Sequence, residues 1–103
     1  MRISGLAVLS PVHLPRSDLN AIKALLLLPL DDDGRRHLEH YGMIVEVHAF
    51  GYFLHTGVVV DDERPSEISE PLWSILSNAE QRGCDWVLID RDEPADKSLP
   101  RFS

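Results

Sequence analysis

Apolar positions alternate between two periods along this chain, and the switches mark its elements. Ile3 to Leu9 (ISGLAVL) is short, mostly apolar and closed by Ser10-Pro11, which reads as a strand. Pro11 and Pro15 hold the following residues extended. Ser17 or Asp18 then caps a helix that runs through about Leu28. On its wheel Leu19, Ile22, Leu25 and Leu26 share a face, with Ala21 and Leu28 to one side. Leu27 falls with Asn20 and Lys23 on the polar side and is expected to be exposed. Pro29 stops the helix, because a helical proline loses a hydrogen bond and clashes with the turn before it. Asp31 to Tyr41 is polar and reads as a loop with at most one helical turn.

Met43 to Ala49 and Tyr52 to Val60 read as two strands of a hairpin around Phe50-Gly51. Phe-Gly is not a favoured turn pair, so the register stays open. The second helix has sharper ends. With Ser69 as its cap, Pro71 falls inside the first turn, where its missing N–H costs nothing. Ile68 then precedes the cap and Trp73 is the fourth helical residue, the arrangement of a hydrophobic staple. Leu72, Ile75, Leu76 and Ala79 form the buried stripe, and Gly83 ends the helix. Asp85 to Asp90 (DWVLID) is the last strand, and an irregular tail begins at about Pro94.

The order β-α-β-β-α-β is the split βαβ pattern of ferredoxin-like folds. It predicts an α+β single domain over residues 1–103: a four-stranded antiparallel sheet with both helices on one face. In that topology Ile3–Leu9 and Tyr52–Val60 are central, and Met43–Ala49 and Asp85–Asp90 are edges guarded by acids.

Charge narrows the function. The chain carries 17 Asp and Glu against 10 Lys and Arg, a net charge of −7, which argues against direct contact with nucleic acid. No apolar run approaches the length needed to span a bilayer. Cys84 is the single cysteine, so no internal disulfide forms and a cytoplasmic setting fits.

Candidate chemistry is sparse. No phosphate-binding glycine loop, nucleophile elbow or zinc-protease motif occurs. His37 and His40 read as two solvated loop histidines rather than metal ligands, since nothing nearby supplies a third. His48 and His55, with Glu46, can lie on the sheet's open face across the hairpin. They read as polar cross-strand packing or, less simply, as a base or a pH-sensitive group. His13 is expected to pack in the first loop and Cys84 to be a packed thiol. The contiguous acids Asp31, Asp32 and Asp33 lack the alternate ligand spacing of a calcium loop. No cofactor is expected. The acids at 31–33, 61–63 and 90–93 all fall at or beyond element ends, and if they converge they make a negative patch suited to a basic partner.

Three stretches, VLSPVHLPRSD (Val8–Asp18), FGYFLHTG (Phe50–Gly57) and RGCDWVLIDRDEPADKSLPRF (Arg82–Phe102), resemble a family of small bacterial proteins of unknown function. That family is encoded on plasmids, integrative elements and prophages. Its usual Phe-Asp-Trp ending is replaced here by Phe102-Ser103. The resemblance carries no catalytic residues to transfer. It implies a setting in which cargo genes disarm host defence or tune element maintenance. With the charge, it leads to the expectation of a non-enzymatic acidic inhibitor of the anti-CRISPR or anti-restriction type. Such an inhibitor occludes a basic nucleic-acid-binding surface on a host defence complex. The residues expected to make the contact are Asp31, Asp32, Asp33, Asp61, Asp62 and Glu63, with Leu27 and Trp73 as apolar anchors. Two alternatives stand beside it. One is a regulator or antitoxin-like partner that pairs with a neighbouring gene product, or with itself as a homodimer, through an exposed edge strand. The other is a small hydrolase using His48, His55 and Glu46.

Overall fold

The computed structural model describes residues 1–25, 27, 38–49, 51–61 and 63–102. Its elements in chain order are β1 (Gly5–Leu9), a 3-10 turn (Pro11–His13), α1 (Arg16–Leu25), β2 (Glu39–His40), β3 (Met43–His48), β4 (Gly51–His55), α2 (Val58–Asp61), α3 (Glu70–Gln81) and β5 (Cys84–Asp90). The five strands form one mixed sheet in the order β1-β5-β4-β3-β2. The pair β1 and β5 is parallel and the rest are antiparallel.

The α+β class holds, but the four-stranded ferredoxin-like order does not. β1 lies at the edge instead of the centre, and β5 is an inner strand between β1 and β4. The reason is visible in β5 itself: Val87, Leu88 and Ile89 are consecutive and all buried, as befits an inner strand with neighbours on both sides. The acids bracketing it do not guard an edge. Asp85 is held by Arg2 through both guanidinium nitrogens, one at 2.7 Å, and Asp90 accepts a hydrogen bond from the Asp92 N–H at 2.9 Å. Strand Met43–Ala49 also gains an outer neighbour, because Tyr41 (φ 50°) and Gly42 (φ 92°) turn the chain back and add β2. β5 therefore has no free edge, whereas β2 covers β3 only at its Met43–Ile44 end.

The strand expected over Tyr52–Val60 stops at His55. Val58, Val59 and Val60 are β-branched yet lie in the short helix α2. The Thr56 hydroxyl is drawn to the carbonyls of Cys84 and Asp85 at 2.8 and 3.0 Å, which turns the chain out of the sheet. Burial of Val58 in the core then outweighs its strand preference.

Within β4, Gly51 sits opposite Asp90, and a Cβ there would fall 1.7 Å from the Ile89 carbonyl oxygen. Gly51 thus belongs to the strand, which settles the register: His48 opposes Gly51 and Glu46 opposes Phe53.

The core is one cluster. Leu9, Met43, Val45, Leu54, Val87 and Ile89 from one face of the sheet meet Ile22 of α1 and Leu72, Leu76 and Ala79 of α3. The end of α3 follows expectation: the Ser69 side chain accepts from the Leu72 N–H at 3.2 Å, and Gly83 has φ 83°. Helix α1 begins earlier than read, at Arg16, and Asp18 supports a different helix. Its buried carboxylate accepts from both the N–H and the hydroxyl of Ser69. Helix α1 ends at Leu25, short of the expected Leu28, and Leu27 lies in a turn with its N–H donating to the Ala24 carbonyl at 3.1 Å; the stop at Pro29 lies outside the described residues.

The tail from Arg91 has no regular structure but is anchored. His13 is buried, its Nδ1–H donates to the Pro100 carbonyl at 2.7 Å, and its Nε2 accepts from the Asp96 N–H at 2.8 Å. Phe102 N–H donates to the Val12 carbonyl at 2.7 Å.

The other end of the chain is anchored by Arg2, whose paired hydrogen bonds, followed by Ser4, hold the Asp85 carboxyl down at about 2. A depressed carboxyl contributes stability above the ordinary carboxylate range and loses it as pH falls toward 2. A carbon-detected titration of Asp85 is expected to give a midpoint near 2, and Arg2→Ala is expected to raise it. An unshifted midpoint in the parent chain would show that the tether does not form in solution.

Candidate functional site

Strand alternation sends one set of side chains to the helices and the other to the opposite face. Among the described residues no helix lies on that second face. The pairings align its side chains in rows across the strands. One row is Glu39, Ile44, His55, Trp86 and Leu6. The next is Glu46, Phe53, Leu88 and Val8. A third holds His48, Gly51 and Asp90. A register shift at Gly5 and Leu6 resets the alternation in β5, so Cys84 turns to the core side and packs there as a half-buried thiol.

The centre of this face is aromatic. His48 meets Phe53 edge-to-face with centroids 5.1 Å apart, Phe53 meets Trp86 at 6.3 Å, and Trp86 meets His55 at 4.6 Å. Leu88 is buried beneath its neighbours, whereas Leu6, Val8 and Ile44 remain 43–49% exposed. Glu39 and Glu46 are exposed at the β2–β3 side. The surface is therefore apolar at its centre, with exposed acids along one rim.

The histidines are committed to structure. His55 Nδ1 accepts from the Gly57 N–H at 3.0 Å, which leaves the neutral ring's proton on Nε2. Its ring lies against Trp86, while Glu46 faces Phe53, so the hairpin does not place Glu46 opposite a histidine. His40 is not a solvated loop residue: it is buried, and its Nε2–H donates to the Glu67 carbonyl at 3.1 Å. His37 lies outside the described residues. Among the described residues no three His, Cys, Asp or Glu side chains are grouped as metal ligands. No described helix is long and apolar enough to cross a membrane.

The residues expected to contact a partner fall in different places. Asp31, Asp32, Asp33 and Asp62 lie outside the described residues. Asp61 ends α2, and Glu63 is exposed just beyond it. Leu27 is 86% exposed, as expected, although it lies in the turn after α1 and not within the helix. Trp73, at the start of α3, is half-buried against the core. Helix α2 and Asp90 lie toward opposite ends of β4: α2 follows His55, which pairs with Trp86, whereas Asp90 pairs with Gly51.

Sequence reasoning left out Leu6, Val8, Ile44, Phe53 and Trp86 as a surface. The signal was present, since apolar residues occur at both parities in ISGLAVL, MIVEV and DWVLID, which asks for cover on two faces.

The fold and site define a small α+β domain with helices on one side of a mixed sheet and an aromatic, acid-rimmed face on the other. Residues 6–103 match a family of unknown function, DUF5983, over its C-terminal domain, and the chain belongs to that family. No curated protein and no solved structure matches it.

Proposed function

We propose that the chain is a protein-binding module that docks through the open face of its sheet onto a partner with an apolar patch and a basic rim. The observation that carries this is the exposure of Leu6, Val8 and Ile44 around Phe53 and Trp86, on a face that no described helix covers. The partner's basic rim is argued from Glu39, Glu46 and the net charge of −7. A counter-defence inhibitor that occludes a basic nucleic-acid-binding surface, in the setting of a mobile element, is the form of this reading that the charge favours. On that reading Asp61 and Glu63 add long-range attraction, while the apolar centre supplies affinity.

The test uses the full chain as bait in a host lysate, followed by affinity measurement on the purified partner. Ile44→Arg is expected to weaken binding at least tenfold with the unfolding midpoint unchanged, about what losing an anchoring apolar contact costs. Glu46→Lys should slow association at low salt and matter less at high salt. Unchanged affinity for Ile44→Arg together with a large loss on reversing Asp61, Asp62 and Glu63 would move the contact to the acidic loops.

A further inference from the structure

A second surface lies along the outer edge of β1, the strand that also carries Leu6 and Val8 of the open face. β1 pairs only with β5, so among the described residues its outer backbone groups face no strand. Edge strands are ordinarily protected by charges, prolines or bulges that interrupt pairing. Gly5-Leu6-Ala7-Val8-Leu9 carries no charge and no proline, and its register shift lies at the start, between Gly5 and Leu6.

Beside this edge runs a cleft of about 420 Å³ between β1, α3 and the tail. Ala7, Leu9, Ile75, Ala79 and Leu99 give it an apolar lining. Ser74, Asn78 and Arg82, four residues apart on α3, form a polar stripe along its helical wall.

The two ends of the cleft differ. At the Leu9 end the carboxylate of Asp96 is already taken by the N–H and hydroxyl of Ser98, at 2.9 and 2.7 Å. At the Gly5 end stands Arg82, next to Gly83, whose carbonyl accepts the Gly5 N–H. Among the described residues the Arg82 guanidinium has no acidic partner, in a chain with 17 acids. Just beyond Gly5, Ser4 and Arg2 bond to the start of β5 and close off the edge.

A free edge, an apolar cleft between that edge and a helix, and an unpaired guanidinium at the closed end together suit the end of an extended chain. We propose that the cleft binds the C-terminal segment of a partner protein. The segment adds to β1 as an antiparallel strand, alternate apolar side chains enter the cleft, and its terminal carboxylate is set on Arg82.

The experiment displays random octapeptides with free C-termini and selects them on the full-length chain. Enriched sequences are then made as the acid and as the amide. Alternating apolar sequences should emerge, and the acid should bind at least tenfold more tightly than the amide. Arg82→Gln, a substitution at an exposed side chain, should abolish that difference. Amide shifts in nitrogen-15 spectra should centre on Leu6–Leu9, Ser74 and Asn78, and Ile44→Arg should leave peptide affinity unchanged. The proposal is overturned by an absence of enrichment, by equal affinity of acid and amide, or by shifts on Phe53 and Trp86. It is equally overturned if the free chain is already a dimer with the β1 amides protected, because the edge is then occupied by a second copy.

Discussion

Asp18→Ala is expected to cost about 4 kcal/mol of folding stability, a large share of the roughly 5–15 kcal/mol that holds a domain of this kind together. The side chain belongs to α1, yet what it supports is the start of α3. One carboxylate oxygen accepts the Ser69 N–H at 3.2 Å and the other accepts the Ser69 hydroxyl. With its proton directed at Asp18, the same hydroxyl oxygen is left to accept the Leu72 N–H at 3.2 Å. Asp18 is only 2% exposed, so truncation strands buried donors that water does not reach. Each such donor costs about 1–3 kcal/mol, and a weakened helix cap adds about 1. Ser69→Ala removes the cap and leaves the Asp18 hydroxyl-side oxygen unpaired, for about 3 kcal/mol. The two changes share one network, so the double variant should cost about 2 kcal/mol less than the sum. Urea unfolding of the four proteins of the cycle measures this. Additive losses, or a loss below about 1 kcal/mol for Asp18→Ala, would mean that the network does not join the helices.

Gly51→Ala should cost about 3 kcal/mol, near the upper end for overpacking, because the obstruction is backbone. The new Cβ would lie 1.7 Å from the Ile89 oxygen and 2.9 Å from its carbonyl carbon. A side chain could rotate away, but a strand bonded on both sides does not. Relief requires the pairs Gly51 with Asp90 and Tyr52 with Ile89 to part. Gly83→Ala is the internal control. Its φ of 83° strains any other residue, but nothing lies within 4 Å of the added atom, so about 1 kcal/mol is expected. Calorimetry ranks the two, and hydrogen exchange of the Tyr52 and Ile89 amides locates the opening. If Gly83→Ala were the worse variant, the close approach of β4 to β5 would be mistaken.

Local chemistry was legible where a residue's role is fulfilled within its own segment. Ser69, Pro71 and Gly83 bound α3 because caps and stops act on their own helix. Roles fulfilled across the molecule were not legible. Asp18 looked like the cap of α1 and supports α3 instead, 51 residues on. His13 gave no sign that it holds the tail at both ring nitrogens. His40 and Tyr41-Gly42 sat in a segment too polar to suggest a strand, yet two residues at positive φ suffice to start β2. The strand order failed for a related reason: a β-α-β-β-α-β string fits more than one arrangement. What separated them was Val87-Leu88-Ile89, an apolar run that only a strand with neighbours on both sides accommodates. The candidate site followed the strand order. With β1 at the edge, Leu6 and Val8 join Trp86 and Phe53 on one surface, and a list of acids does not lead there.

The parallel pairing of β1 with β5 also sets an order of events during synthesis. Among the described residues β1 has no other strand partner, and Gly5 meets Cys84, distant from it in sequence. β1 must therefore wait for β5. Contacts so distant along the chain close slowly, because the loop entropy is lost before any pairing is gained. Until residue 90 has left the ribosome, an uncharged strand with no partner, ISGLAVL, stands in solution. An early partner that occupies that strand would act on the nascent chain before the finished fold exists.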